Sequence, residues 1–151
     1  MKILRKATCI VGLALMAAHA RAEVTVTDAW VRAAAPKQFA TEVFMKLRST
    51  EDLSLINAAS PAANIVEIQK PITSGNEKAM RFIDEVALPA GKTVELEPGG
   101  YQVMLMELVG PLRAGDKVPI TLTFVTSRGN IRSKLEIMAV VRPAGAAPTR
   151  R

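Results

Sequence analysis

Hydrophobic and polar residues alternate along most of the chain, in short segments separated by turn residues. Residues 41–49 show the pattern clearly, because Val43, Met45 and Leu47 would share one face of a strand and the residues between them the other. Similar segments recur with Pro- and Gly-containing turns between them, and no stretch of helical length has a 3.6-residue period. The pattern predicts one all-β domain, a sandwich or barrel of about seven to nine strands.

The alternation places the strands and one large aromatic side chain. The predicted strands are 23–32, 41–49, 53–59, 64–70, 80–86, 92–96, 101–108, 118–125 and 131–141. Trp30, the only tryptophan, is predicted to pack against the sandwich core. The domain is expected to span residues 23–142, and the Pro-, Ala- and Gly-rich tail at 143–151 is predicted to be disordered.

The first 22 residues have the features of an export signal. Residues 1–6 carry three basic side chains, an apolar run follows from Ala7 to Ala18, and Ala20-Arg21-Ala22 is a small-x-small cleavage site. We predict cleavage after Ala22, export to the periplasm and no membrane attachment afterwards. The alternative is an uncleaved anchor or a buried helix, although 12 apolar residues are too few to span a bilayer, which takes about 20.

Removing the signal changes the composition that matters for function. The segment carries four basic residues and no acid, so 129 residues remain with 16 basic and 14 acidic side chains and a net charge near +2. Without a basic stripe interleaved with aromatics, nucleic-acid binding is not expected. Cys9 and His19, the only cysteine and histidine, both lie in the signal.

The remaining residues offer little for catalysis. Without histidine, cysteine or a Gly-rich phosphate loop there is no nucleophile–base pair. Glu95 with Glu97, and Asp84 with Glu85, are close in sequence, but such carboxylates are usually solvated surface groups. We therefore expect a protein that is not an enzyme.

The most informative stretch is Glu97–Leu108, in which a Pro-Gly-Gly turn leads into an apolar run. In a strand, Gln102, Met104 and Met106 would line one face. Thioether sulfur is a soft donor that suits Cu(I). The alternative is that both methionines fill the core, as methionine commonly does.

The chain resembles the periplasmic copper chaperone PCu(A)C family over most of its length after the signal. The matching segments, in the family's order, are Asp28–Arg32, Val66–Ile68, Ala79–Arg81, Leu88–Gly91, Glu97–Tyr101, Met104–Met106, Pro111–Leu112, Gly115–Asp116 and Leu122–Phe124. The resemblance implies a cupredoxin-like Greek-key β-sandwich and a copper-binding function.

The family's copper motif is His, ten residues, Met, twenty-one residues, His-x-Met. Its spacing is kept here by Gln69, Met80, Gln102 and Met104, so both thioethers are present and both imidazoles are replaced by glutamine. The resemblance implies that the metal residues are Met80 and Met104, with Gln69 and Gln102 as wall or auxiliary contacts and Met106 as a spare ligand.

The replacement of histidine predicts weak binding. Glutamine has no free nitrogen lone pair, and its amide oxygen is a hard, neutral donor, poorly suited to Cu(I). We expect no tight Cu(II) site and a weak Cu(I) site built from thioethers. Alternatively, the two amides hydrogen-bond across facing strands and close the pocket.

Two functions follow from these alternatives. The first is a copper chaperone that delivers Cu(I) to a periplasmic acceptor, such as a cytochrome oxidase assembly factor. The second is a metal-free family member that acts as a protein-binding or assembly module.

Overall fold

A computed structural model describes residues 23–146; the predicted signal peptide, 1–22, and residues 147–151 of the predicted tail lie outside the described part. The strands are β1 Val24–Arg32, β2 Ala40–Ser49, β3 Leu53–Ala59, β4 Ala63–Ser74, β5 Glu77–Phe82, β6 Val86–Leu88, β7 Thr93–Leu96, β8 Gln102–Leu108, β9 Lys117–Thr126 and β10 Ile131–Arg142. No helix with the length and apolar character needed to span a membrane occurs among residues 23–146.

The strands are hydrogen-bonded in the order β5-β4-β8-β2-β1-β10-β9-β3-β6, with β7 also paired to β2. The β1–β10 pair is parallel and joins two antiparallel parts of the sheet. Side chains from both parts enclose one core, including Val43 and Leu105 from the first and Leu55, Leu122 and Phe124 from the second. The predicted all-β sandwich is therefore confirmed, with ten strands in the described part where about seven to nine were expected. Val43, Met45 and Leu47 of β2 face the core, as the alternation predicts.

The segment predicted as one strand over 80–86 is divided in the structure. Its first half belongs to β5, which pairs with β4, and its end to β6, which pairs with β3 at the other end of the strand order. Between them the Ile83 N–H donates to the Ile68 carbonyl at 2.9 Å, and the chain then crosses between the two sheet edges. Asp84 and Glu85 interrupt the apolar spacing at this crossover, but two polar residues alone do not show that the chain leaves one sheet edge for the other.

The sequence predicts that Trp30 packs against the sandwich core. The structure buries Trp30, but outside the main core. It is 1% exposed and packs against Phe44, with ring centroids 4.7 Å apart and ring planes inclined at 41°. Trp30 pairs with Phe44 and Val31 with Val43, and only the two valines belong to the core cluster. Since neighbouring residues of a strand point to opposite sides, the two rings form a small second layer outside the sheet.

Two arginines cover this aromatic layer. The Arg142 guanidinium lies 5.2 Å from the Trp30 centroid and 2.6 Å from the Asp28 carboxylate. The Arg32 guanidinium lies 5.6 Å from the Phe44 centroid and 2.7 Å from the carboxylate of Glu42. Arg32 also donates to the carbonyl of residue 144 at 2.7 Å, which ties the chain after β10 to this face.

Candidate metal-binding face

The site is built on β8, whose residues alternate between the core and the opposite side. Val103 and Leu105 are fully buried in the core. Gln102, Met104 and Met106 share the other side of β8, as the alternation predicts, and the structure turns that side away from the core. We call this side of β4, β8 and β2 the outer face.

Strand pairing arranges the outer face in cross-strand rows. On β4, Gln69 lies opposite Gln102, Glu67 opposite Met104, and Ile65 opposite Met106. On the other flank of β8, β2 places Glu42 beside Met104 and Ala40 beside Met106. Directly paired residues project from the same face of a sheet, so the structure brings together four of the five predicted metal residues, Gln69, Gln102, Met104 and Met106.

The two glutamines contact each other. The Gln102 side chain is 3% exposed, and its Nε2 donates to Gln69 Oε1 at 3.4 Å. The Gln69 Nε2 in turn donates to Glu67 Oε2 at 3.1 Å. The amide–amide hydrogen bond expected as the alternative to metal contact is therefore present. It is long compared with the usual N–H···O distance of about 2.9–3.0 Å.

The methionines of β8 are not core filler. Both Met104 and Met106 are half-buried, and neither belongs to the core cluster formed by the described residues. The methionine that does fill the core is Met45, on β2. The thioethers of β8 therefore lie at the outer face, where a metal ion in solution has access to them.

Met80 lies further away, on the edge strand. It is 38% exposed and pairs with Pro71, whereas the residue opposite Gln69 is Phe82. On an ideal flat ladder with this register, the Cα atoms of Met80 and Met104 are about 16 Å apart. Met80 projects from the same face as the other candidates, but it joins them only if the β4–β5 hairpin bends toward β8.

The chemistry of the outer face combines soft sulfur with neutral and anionic oxygen. Among residues 23–146, no three His, Cys, Asp or Glu side chains are grouped closely enough to hold a metal ion. Glu42 is held by Arg32, and Glu67 accepts from Gln69. Thioethers beside weak oxygen donors fit Cu(I) better than Cu(II) or Zn²⁺, which prefer imidazole.

Sequence reasoning did not identify Glu67 and Glu42 as neighbours of Met104. Strand alternation does place Glu67 on the same face as Gln69, two residues later, but it does not place Glu67 opposite Met104. Glu42 is placed beside Met104 only by the β2–β8 register.

By sequence, the chain is similar to a group of proteins described as putative lipoproteins. The family model described as "LpqE-like: Putative lipoprotein LpqE-like" matches residues 24–136. A protein of Leifsonia xyli subsp. xyli described as "Putative lipoprotein Lxx21020" is 34% identical over 102 residues, which is 67% of this chain. The match spans 61% of the length of that relative.

Solved structures share the fold. The apo PCuAC domain from PmoF1 has a TM-score of 0.64 at 20% identity, covering 80% of this chain and 93% of that domain. The solution structure of CuI-DR1885 from Deinococcus radiodurans has a TM-score of 0.58 at 31% identity, covering 83% of both chains.

Proposed function

The chain belongs to the LpqE-like family, and from this premise we propose that it is an exported, copper chaperone-like protein that binds Cu(I) weakly through methionine thioethers and delivers it. The copper itself is the cargo. Export is supported by the family's description, "Putative lipoprotein LpqE-like", and by the signal-like first 22 residues. We place the protein in the periplasm, with a copper acceptor such as a cytochrome oxidase assembly factor as its partner.

The observation that carries the proposal is the position of Met104 and Met106. Both are half-buried side by side on the outer face rather than packed in the core. Residues two apart on a strand are about 7 Å apart at Cα, so both thioethers can reach one ion. The 31% identical relative was solved as CuI-DR1885, which supports the same cargo here.

Met80 and the glutamines complete the proposed site. The β4–β5 hairpin brings Met80 toward Met104 when it bends, and Gln69 and Gln102 form the wall between them. The amides are weak donors for a soft ion, so affinity is expected to be much lower than that of a site with two imidazoles. Weak binding is compatible with a carrier, which has to release its ion to an acceptor.

A second candidate function is favoured by the hydrogen bonds among the amides. Gln102 donates to Gln69, and Gln69 donates to Glu67, so the polar side chains of the rows already have partners. Because these polar groups are already hydrogen-bonded to one another, the outer face does not need a metal ion to satisfy them. In this alternative the protein is a metal-free module that binds another exported protein.

Competition for Cu(I) with a calibrated chelator separates the two functions. The triple variant Met80→Leu, Met104→Leu and Met106→Leu should lose at least tenfold in Cu(I) affinity, because leucine keeps the volume and removes the sulfur. Met138→Leu is the matched control, since Met138 is an exposed methionine on β10, away from the site. Equal affinity of the triple variant and the unmutated protein would exclude the thioether site and leave the metal-free module.

A further inference from the structure

We infer that β5 is a docking edge for an extended acidic segment of a partner protein, which pairs with it as an additional strand. Strand β5 is the terminal strand of the hydrogen-bonded order, with one neighbour, β4, in the part of the chain that the structure describes. An edge of this kind offers unpaired backbone N–H and C=O groups to an incoming strand. The inference does not require copper and goes beyond the proposed cargo.

The hairpin that carries this edge lies outside the core. All six residues of β5 are exposed, and so are most residues of β4 beyond Gln69. Its apolar side chains are also in solvent, with Met80 38% and Phe82 54% exposed. A two-stranded ribbon has little stability of its own, so apolar groups on it gain burial only when a further element covers them.

The charges of the hairpin favour an acidic partner. Residues 69–82 carry three cations, Lys70, Lys78 and Arg81, and one acid, Glu77. Lys70 lies directly opposite Arg81, and like charges in that position destabilise a strand pair. None of the four ion pairs found among residues 23–146 involves these side chains. Carboxylates from a partner would relieve this repulsion.

A groove of about 510 Å³ continues the edge at the base of the hairpin. Its lining combines the apolar side chains of Ile56, Phe82 and Ile83 with charged groups, Lys70, Arg81, Asp84 and Glu85. The two acids follow β5 in the crossover, whereas the cations lie on the paired strands. The groove can therefore hold an apolar side chain while the acidic residues of the segment face the strands.

The charges argue against a second copy of this chain as the occupant. In the antiparallel self-pairing centred on β5, Lys78 of one copy would face Arg81 of the other. Edge cations commonly prevent such self-association. The segment that fits has acidic residues opposite Lys78 and Arg81 and apolar residues opposite Met80 and Phe82.

The test uses the intact, isotope-labelled protein without copper and a synthetic probe of this pattern. The probe is the acetylated, amidated heptapeptide Thr-Val-Glu-Val-Thr-Glu-Thr, and NMR titration follows the backbone amides. The inference predicts saturable shifts concentrated in the hairpin and crossover, 69–85. It also predicts at least tenfold weaker binding when lysine replaces both glutamates, and loss of binding when alternate amides of the probe are N-methylated.

Charge reversal on the edge provides the matched comparison. Lys78→Glu with Arg81→Glu should lower the affinity for the acidic probe at least tenfold. The probe in which lysine replaces both glutamates should then bind more tightly than the acidic probe. Lys92→Glu with Arg128→Glu makes the same change in net charge at exposed turn positions and should leave both affinities within about twofold.

Three results would overturn the inference. The first is that acidic and basic probes bind equally, and the second is that shifts map outside the hairpin and crossover. The third is self-association in sedimentation velocity that the edge reversal abolishes, which would assign the edge to a second copy. Because every titration is made without copper, none of these results bears on the thioether site.

Discussion

At the scale of single residues, Gln69 and Gln102 are the positions at which the proposed copper site differs most from one with imidazole ligands. They lie directly opposite each other on β4 and β8, and their amides are hydrogen-bonded at 3.4 Å. The positions therefore face each other as a ligand pair would, but the side chains present two amides. The two positions have the arrangement of a ligand pair, but amides are weak donors for a soft ion, and this limits the expected affinity for Cu(I).

Replacing both glutamines by histidine should create a tight copper site. Imidazole nitrogen is a far better donor for copper than an amide oxygen, and losing even an outer-shell partner of a metal site costs about 10–100-fold in affinity. We expect Gln69→His with Gln102→His to raise Cu(I) affinity more than 100-fold, measured by chelator competition.

The control for that experiment introduces two histidines elsewhere. Asn57→His with Asn130→His adds the same side chains at exposed positions that are not paired with each other. Affinity close to that of the unmutated protein is expected. If this control binds as tightly as the designed pair, the position of the glutamines is irrelevant.

The residues of the face were predictable to different degrees. Spacing and alternation alone placed Gln102, Met104 and Met106 on one face, because the side-chain period of a strand is two. The flanking role of Glu42 and the outward position of Trp30 depend on register and on which side of β1 is covered. Neither property is encoded in local alternation, so sequence reasoning could not reach them.

At the scale of elements, the β4–β5 hairpin lies outside the core, and the proposed copper site requires it to bend toward β8. Its two-residue turn has Gly75 at φ 63°, while Asn76 is not among the residues with positive φ. A two-residue turn in which only the first central residue, a glycine, has a positive φ is a type II′ turn. The turn signal at Ser74-Gly75-Asn76 was readable from sequence, but the division of 80–86 between β5 and β6 depends on tertiary pairing.

Substituting this glycine should loosen the hairpin without unfolding the protein. Gly75→Ala places a Cβ in the left-handed region, at a cost of about 1–2 kcal/mol. Hydrogen exchange of the β5 amides should then accelerate by about 5–30-fold. The midpoint of thermal unfolding should change little, because every β5 residue is exposed and outside the core.

Gly110→Ala is the control for the turn. Gly110 has no positive φ, and a Cβ there would meet nothing within 4 Å. Exchange in β5 should stay unchanged in this variant. A global loss of stability in Gly75→Ala, equal in β5 and in the core strands, would show that the hairpin is not an independent unit.

At the scale of the whole molecule, hydrophobic alternation was sufficient to predict the all-β class. It worked because most strands bury one side against a single core, as Val43, Met45 and Leu47 do. The order of strands was not predictable, since the parallel β1–β10 contact joins segments more than 100 residues apart. Trp30 and Phe44 show the limit of the method, because both sides of β1 and β2 carry buried residues.

Processing of the exported chain is a prediction at this scale. Cleavage after Ala22 would leave Glu23 as the first residue, immediately before β1. Mass spectrometry of the protein exported by cells that express the full sequence should give the mass of a chain that begins at Glu23. A chain that retains the first 22 residues would contradict the cleavage prediction and favour an anchored form.

The central claim, that sulfur on the outer face holds Cu(I), is tested most directly by X-ray absorption spectroscopy of the copper-loaded protein. We predict at least two sulfur scatterers in the first coordination shell, because the thioethers of Met104 and Met106 lie on the same side of β8. A shell of nitrogen and oxygen alone would contradict the account, since copper would then be held without methionine.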